Sequence, residues 1–164
     1  MKKIVNGVSY TTLELLGHGK GGYSYLAKGP DGLVILKQIH HEPCPYYAFG
    51  NKIEAELHDY QRLLEAGIRT PKLIDFDKEQ EVIIKEFIDG ETIDQLIKDK
   101  KDISIYIPQV KEMAELAKKA NLNIDYYPTN FIPYNGILYY IDYECNDYSD
   151  EWSFDNWGSK YWSN

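Results

Sequence analysis

Asp125, Asn130 and Asp142 carry the functional groups of phosphoryl transfer at a spacing that suits it. Asp125 stands five residues before Asn130, and Asp142 follows twelve residues later, after the apolar, strand-like run Ile137-Leu-Tyr-Tyr-Ile141. One carboxylate can orient a hydroxyl nucleophile, while a carboxamide and a second carboxylate hold Mg²⁺ against the charge of a triphosphate. Asp and Asn also populate turns for purely structural reasons, so the upstream residues decide. A glycine-rich loop and an isolated lysine precede them in the order such a site requires.

The loop is Gly17-His-Gly19-Lys-Gly-Gly22, set between strand-like segments. Glycines there let backbone N–H groups approach phosphates without a clashing Cβ. A dinucleotide-binding fold would have the loop open a helix, with an acidic residue about 20 positions on. Here Tyr23-Ser-Tyr-Leu-Ala27 is strand-like and Lys37 falls in that later position, which excludes that reading. Taken alone, the motif is equally well a glycine-rich hairpin. Lys37 is more specific. Within Val34-Ile-Leu-Lys37-Gln-Ile39 both faces call for apolar residues, and an ammonium there is costly unless an anion meets it. Glu56 shares a helical face with Ile53, Tyr60 and Leu63, which makes it the expected partner of Lys37, with Glu54 as the fallback.

Elements that could position these groups follow from apolar periodicity and turn chemistry. Strands are expected over Val8–Leu16, Tyr23–Lys28, Leu33–Ile39, Pro71–Asp75 and Glu81–Ile88, with a turn at Gly29-Pro-Asp-Gly32. A helix is expected over residues 51–66, where Ile53, Leu57, Tyr60 and Leu64 recur at helical spacing and Ala66-Gly67 ends it. Thr92–Lys100 and Tyr106–Ala120 read as further helices. Asn130–Ile132 and Ile137–Ile141 read as a hairpin around Pro133-Tyr-Asn-Gly136. The reading is thus α+β: a β-rich part with one helix over residues 1–88, then a mainly helical part with a late hairpin over 89–164.

Composition bounds the rest. A chain of 164 residues with 43% hydrophobic content can bury a real core. No apolar run approaches the ~20 residues needed to span a bilayer, and the N-terminus lacks a stretch of signal-peptide length. Cys44 and Cys145 make no disulfide framework and fit a reducing cytoplasm. A net charge of −8 argues against nucleic-acid binding, which needs clustered Lys and Arg. His40, His41 and Cys44 lack a fourth partner at zinc-site spacing, and Cys145 has no neighbouring base to activate it. Cys44-Pro45 reads as a turn.

Together these residues resemble the protein-kinase-like superfamily, from about Leu15 to Glu144. Gly17, Gly19 and Gly22 match the phosphate-covering loop, Lys37 the lysine of the third strand, and Glu56 the glutamate of the helix that follows. Glu86-Phe-Ile88-Asp-Gly90 is similar to the hinge, where backbone groups of Glu86 and Ile88 would meet the adenine. Asp125 and Asn130, with Pro128 between them, match the catalytic loop of small atypical kinases and aminoglycoside phosphotransferases. Asp142, in Ile-Asp-Tyr-Glu144, takes the place of the magnesium-binding Asp.

The resemblance implies a two-lobe fold with ATP between the lobes. Lys37 and the glycine loop would hold its phosphates, and Asn130 and Asp142 would hold Mg²⁺. Asp125 would position a substrate hydroxyl, on a protein or a small molecule, for in-line attack. The second lobe would be a truncated one, since only residues 143–164 follow Asp142 and no activation segment is recognisable. Asn123 stands where these kinases place a His, and Lys85 where an apolar residue would border the adenine. The alternative is a pseudokinase, a nucleotide-binding or scaffolding module without turnover; a nucleotide-free structural protein is the third reading. Residues 147–164 hold all three tryptophans. They read as a lid packed on the second lobe, with docking of a protein partner as the rival.

Overall fold

A computed structural model describes residues 1–19, 21–42 and 51–163. The turn expected at Cys44-Pro45 and the loop's Lys20 lie outside the described residues. The architecture is α+β, and the chain divides into two compact units: Met1–Glu56 with Pro71–Phe87, and Leu57–Thr70 with Ile88–Asn164.

In the first unit, six antiparallel strands form one sheet in the order β1-β2-β3-β4-β6-β5. They are β1 (Lys2–Val5), β2 (Val8–His18), β3 (Gly22–Gly29), β4 (Gly32–Ile39), β5 (Leu73–Asp77) and β6 (Val82–Glu86). The sequence reading missed β1, although its signal is present. Asn6 and Gly7 both take positive φ (50° and 82°) and join Val5 to Val8 in the tight turn an Asn-Gly pair favours. One face of the sheet carries Val5, Tyr10, Ala27, Leu36, Val82 and Ile84 into a common core. By strand alternation Lys37 points to the opposite face.

Helix α1 (Lys52–Ala66) begins in this unit and continues into the second. There α2 (Ile93–Lys98), capped by the Thr92 hydroxyl accepting from Gln95 N–H, and α3 (Ile107–Lys119) pack with two small sheets. One is the expected hairpin, β8 (Phe131–Tyr134) with β9 (Ile137–Tyr140), turning at Asn135 and Gly136 with φ of 52° and 77°. The other, β7 (Leu122–Ile124) paired to β10 (Cys145–Asp147), was not anticipated. Three residues apiece are too few for a readable alternation. Val110, Met113, Phe131, Leu138, Tyr140 and Trp162 are central to this unit's core.

The aromatic tail belongs to that core. Phe154 and Trp162 are buried and Trp157 and Tyr161 pack beside them, so the packing expectation is met; Trp152 is half exposed. Trp162 Nε1–H donates to Tyr126 O at 2.7 Å. A Cβ on Gly158 would come within 2.5 Å of Tyr126 Cβ, so glycine is what lets the tail reach the segment after Asp125. Among the described residues no helix is long and apolar enough to cross a membrane.

Candidate functional site

The first unit gathers the glycine loop, Lys37 and Glu56. Lys37 Nζ lies 2.5 Å from Glu56 Oε1, with the two side chains 14% and 11% exposed. Glu54, the fallback partner, instead points outward and pairs with Lys78 at 3.5 Å. Helical spacing therefore selected the inward carboxylate. Glu56 Oε2 is buried with no hydrogen-bond partner among the described residues.

The loop's glycines fall into two kinds. A Cβ on Gly22 would sit 2.6 Å from the Gln38 carbonyl oxygen and 3.2 Å from Lys37 Cε, so its glycine is demanded by packing against β4. At Gly17 and Gly19 a Cβ would meet nothing within 4 Å, and neither takes the left-handed backbone that favours glycine. No packing contact among the described residues requires these two glycines, whose chain entropy is a cost; Gly17 lies at the register irregularity of β2 against β3 after Leu15, a position that glycine often marks. Close approach by a ligand would account for them.

Glu86 closes β6 and is exposed. Its N–H donates to Lys72 O at 2.8 Å and its carboxylate accepts from Lys72 N–H at 3.1 Å. Lys85 is buried on β6. The register pairs Lys37 with Ile83 and Ile35 with Lys85, so both lysines lie on one face of the sheet.

In the second unit, Asp125 follows β7 and is exposed, while Asn130 and Asp142 are half-buried. Asp125 Oδ1 accepts from Tyr127 N–H at 3.1 Å, a local turn that fixes the carboxylate. Asn130 Nδ2 donates to Asp125 O at 3.3 Å. Ile141 N–H donates to Asn130 O at 2.9 Å, which extends the β8–β9 ladder and sets Asn130 beside the start of Asp142. Ile88, at the unit's edge, is buried.

Sequence reasoning missed Tyr140. Its fully buried hydroxyl accepts from Asp125 N–H at 3.1 Å and donates to Glu144 O at 2.8 Å, joining the two segments that carry Asp125 and Asp142. Burial pushes its phenol well above the ordinary range. In the sequence it reads only as another apolar position of a strand. Asn123 is buried on β7 and its Nδ2 donates to Ser149 O at 2.8 Å, which ties β7 to the tail. Cys145 is inert as a nucleophile: burial, then the nearby Asp59, pushes its thiol up to about 12.

No family model and no curated protein matches this chain. The geometry of its own residues therefore carries the functional argument.

Proposed function

We propose that the chain is an ATP- and Mg²⁺-dependent phosphotransferase with a reduced kinase-like two-lobe fold, passing the γ-phosphate to a hydroxyl acceptor. The single observation that carries this reading is the Lys37–Glu56 pair lying against the glycine loop. A part-buried ammonium is held in place by a carboxylate, with its Cε 3.2 Å from where a Gly22 Cβ would stand. Such an ammonium is a fixed donor to phosphate oxygens, and the open space around the Cα atoms of Gly17 and Gly19 lets a phosphate come close to the loop backbone, whose Gly19 N–H itself donates to Gly22 O at 2.9 Å.

The second unit's residues fit the metal. Magnesium favours hard oxygen donors, and the Asp142 carboxylate and the Asn130 carboxamide supply them. Because Asn130 Nδ2 is committed to Asp125 O, Oδ1 is the atom left to ligate. Bound Mg·ATP supplies the transferable phosphoryl group and the charge that stabilises its transfer. Asp125 accepts the acceptor hydroxyl's hydrogen bond and orients it, with its own backbone fixed by Tyr140. Lys37 and the loop would hold the phosphates. Positioning and electrostatics then account for the acceleration.

Thermal unfolding with and without Mg·ATP tests this in wild type and Asp142→Ala. A ligand at ~100 times its Kd adds ~2.7 kcal/mol to a native state that alone binds it. A magnesium-dependent rise lost in Asp142→Ala, together with γ-phosphate transfer to a hydroxyl acceptor, is the expected result. A rise without transfer converts the reading to a pseudokinase, and no rise in wild type overturns it.

A further inference from the structure

We infer that His18, His40 and Glu42 form a binding site for a zinc-class divalent cation that ties the glycine loop to the end of the strand carrying Lys37. His18 ends β2, and His40 and Glu42 follow β4, so His18 is distant in sequence from the other two and is brought to them by the sheet. One ligand atom from each lies within 4.8 Å of the others. His18 Nε2 is 3.3 Å from Glu42 Oε1, and the two imidazole centroids are 5.1 Å apart. Two imidazoles and a carboxylate are a recurrent zinc ligand set that leaves a fourth position open. Imidazole nitrogen also favours zinc over magnesium, which prefers oxygen.

The surroundings resemble the outer shell of a metal site. Ligating histidines ordinarily donate their second ring N–H to a backbone carbonyl or carboxylate, which fixes tautomer and orientation. His40 Nε2 lies 2.8 Å from Gly19 O, an acceptor, so this nitrogen carries the proton and Nδ1 carries the lone pair. The His40 backbone is held as well: its N–H donates to Gly21 O at 3.0 Å and its carbonyl accepts from the buried Lys52 ammonium. Glu42 Oε2 accepts from the Tyr23 hydroxyl, and the Tyr23 ring stacks on His18 at 4.3 Å and 16°. Ligation displaces two contacts, the Glu42 N–H bond to His40 Nδ1 at 3.2 Å and the direct His18 Nε2–Glu42 Oε1 contact at 3.3 Å. His18 lies 22 residues before His40, beyond the local spacing at which His40, His41 and Cys44 lack a fourth partner.

Titration of untagged protein with Zn²⁺ by calorimetry, and with Co²⁺ by visible absorption, tests the site. Expected are one equivalent bound and the d–d bands of low-coordinate Co²⁺, with affinity reduced at least tenfold in His18→Ala and Glu42→Gln but kept in His41→Ala. These positions are exposed, and far-UV circular dichroism with the unfolding midpoint confirms that each variant is folded. Absence of stoichiometric binding in wild type overturns the site. So does wild-type affinity in His18→Ala, or an equal loss in His41→Ala.

Discussion

Lys37 Nζ and Glu56 Oε1 meet at 2.5 Å with both side chains nearly withdrawn from water. The two partners should differ in what their loss does. Glu56→Leu leaves an ammonium buried without this carboxylate and should lower stability by about 3 kcal/mol, in the range for a broken buried pair. Lys37→Met should cost less, because methionine keeps the lysine's straight apolar stem packed on the sheet, whereas leucine branches where glutamate is straight. Urea unfolding near neutral pH measures both; equal losses would refute the asymmetry. Lys37→Met should also abolish any Mg·ATP-induced rise in melting temperature.

Glycine substitutions separate packing from ligand approach. Gly22→Ala forces a Cβ to within 2.6 Å of the Gln38 carbonyl oxygen, so the strand must shift, at a cost of about 1–3 kcal/mol. Gly17→Ala meets only open space and removes unfolded-state entropy, so stability should hold or rise by about 0.5 kcal/mol. Its nucleotide response should nonetheless fall. Unchanged melting in Gly22→Ala would contradict the packing account, and an unchanged nucleotide response in Gly17→Ala would contradict the loop's proposed role.

Asp59 gives the second unit a pH dependence. Burial, outweighing the Cys145 N–H bond and the nearby Arg62, raises its carboxyl above the ordinary value. A folded-state pKa above the unfolded one contributes stability that is full below the unfolded pKa and lost as pH rises through the folded one. At neutral pH the charged form therefore opposes folding. Asp59→Asn should melt higher than wild type near pH 7, with the gain shrinking toward about pH 4, where the unfolded carboxyl also protonates. The same gain at both pH values would remove desolvation as the cause.

Two tail tryptophans should respond unequally to truncation. Trp162 is buried edge-on against Phe131 at 5.0 Å and donates to Tyr126 O. Trp162→Ala should cost about 3–5 kcal/mol, as for a large core side chain. Trp152 is 50% exposed, and Trp152→Ala should stay within about 0.5 kcal/mol. Chemical denaturation of both variants distinguishes a packed tail from a loosely held one.

Residues with strong local signals were legible before the structure. Ile53, Leu57, Tyr60 and Leu64 located α1, and the turn at Asn135-Gly136 located the β8–β9 hairpin. The inward stripe of α1 also chose Glu56 over Glu54, because helical spacing alone decides which carboxylate shares the apolar face. β7 and β10 were not legible. They pair with each other across twenty residues, and such short strands exist because a partner is present rather than through their own pattern.

The sequence by itself determined the α+β order of elements and the inward carboxylate, and it marked the carboxylates and carboxamide of Asp125, Asn130 and Asp142 as candidates, since these follow from periodicity and side-chain chemistry. Only the tertiary structure decided that Gly22 serves packing whereas Gly17 and Gly19 face open space, that Tyr140 braces Asp125, and that His18 joins His40 and Glu42. Each of those depends on distances between segments far apart in the chain. Such distances are set by strand register and core packing, which no local pattern encodes.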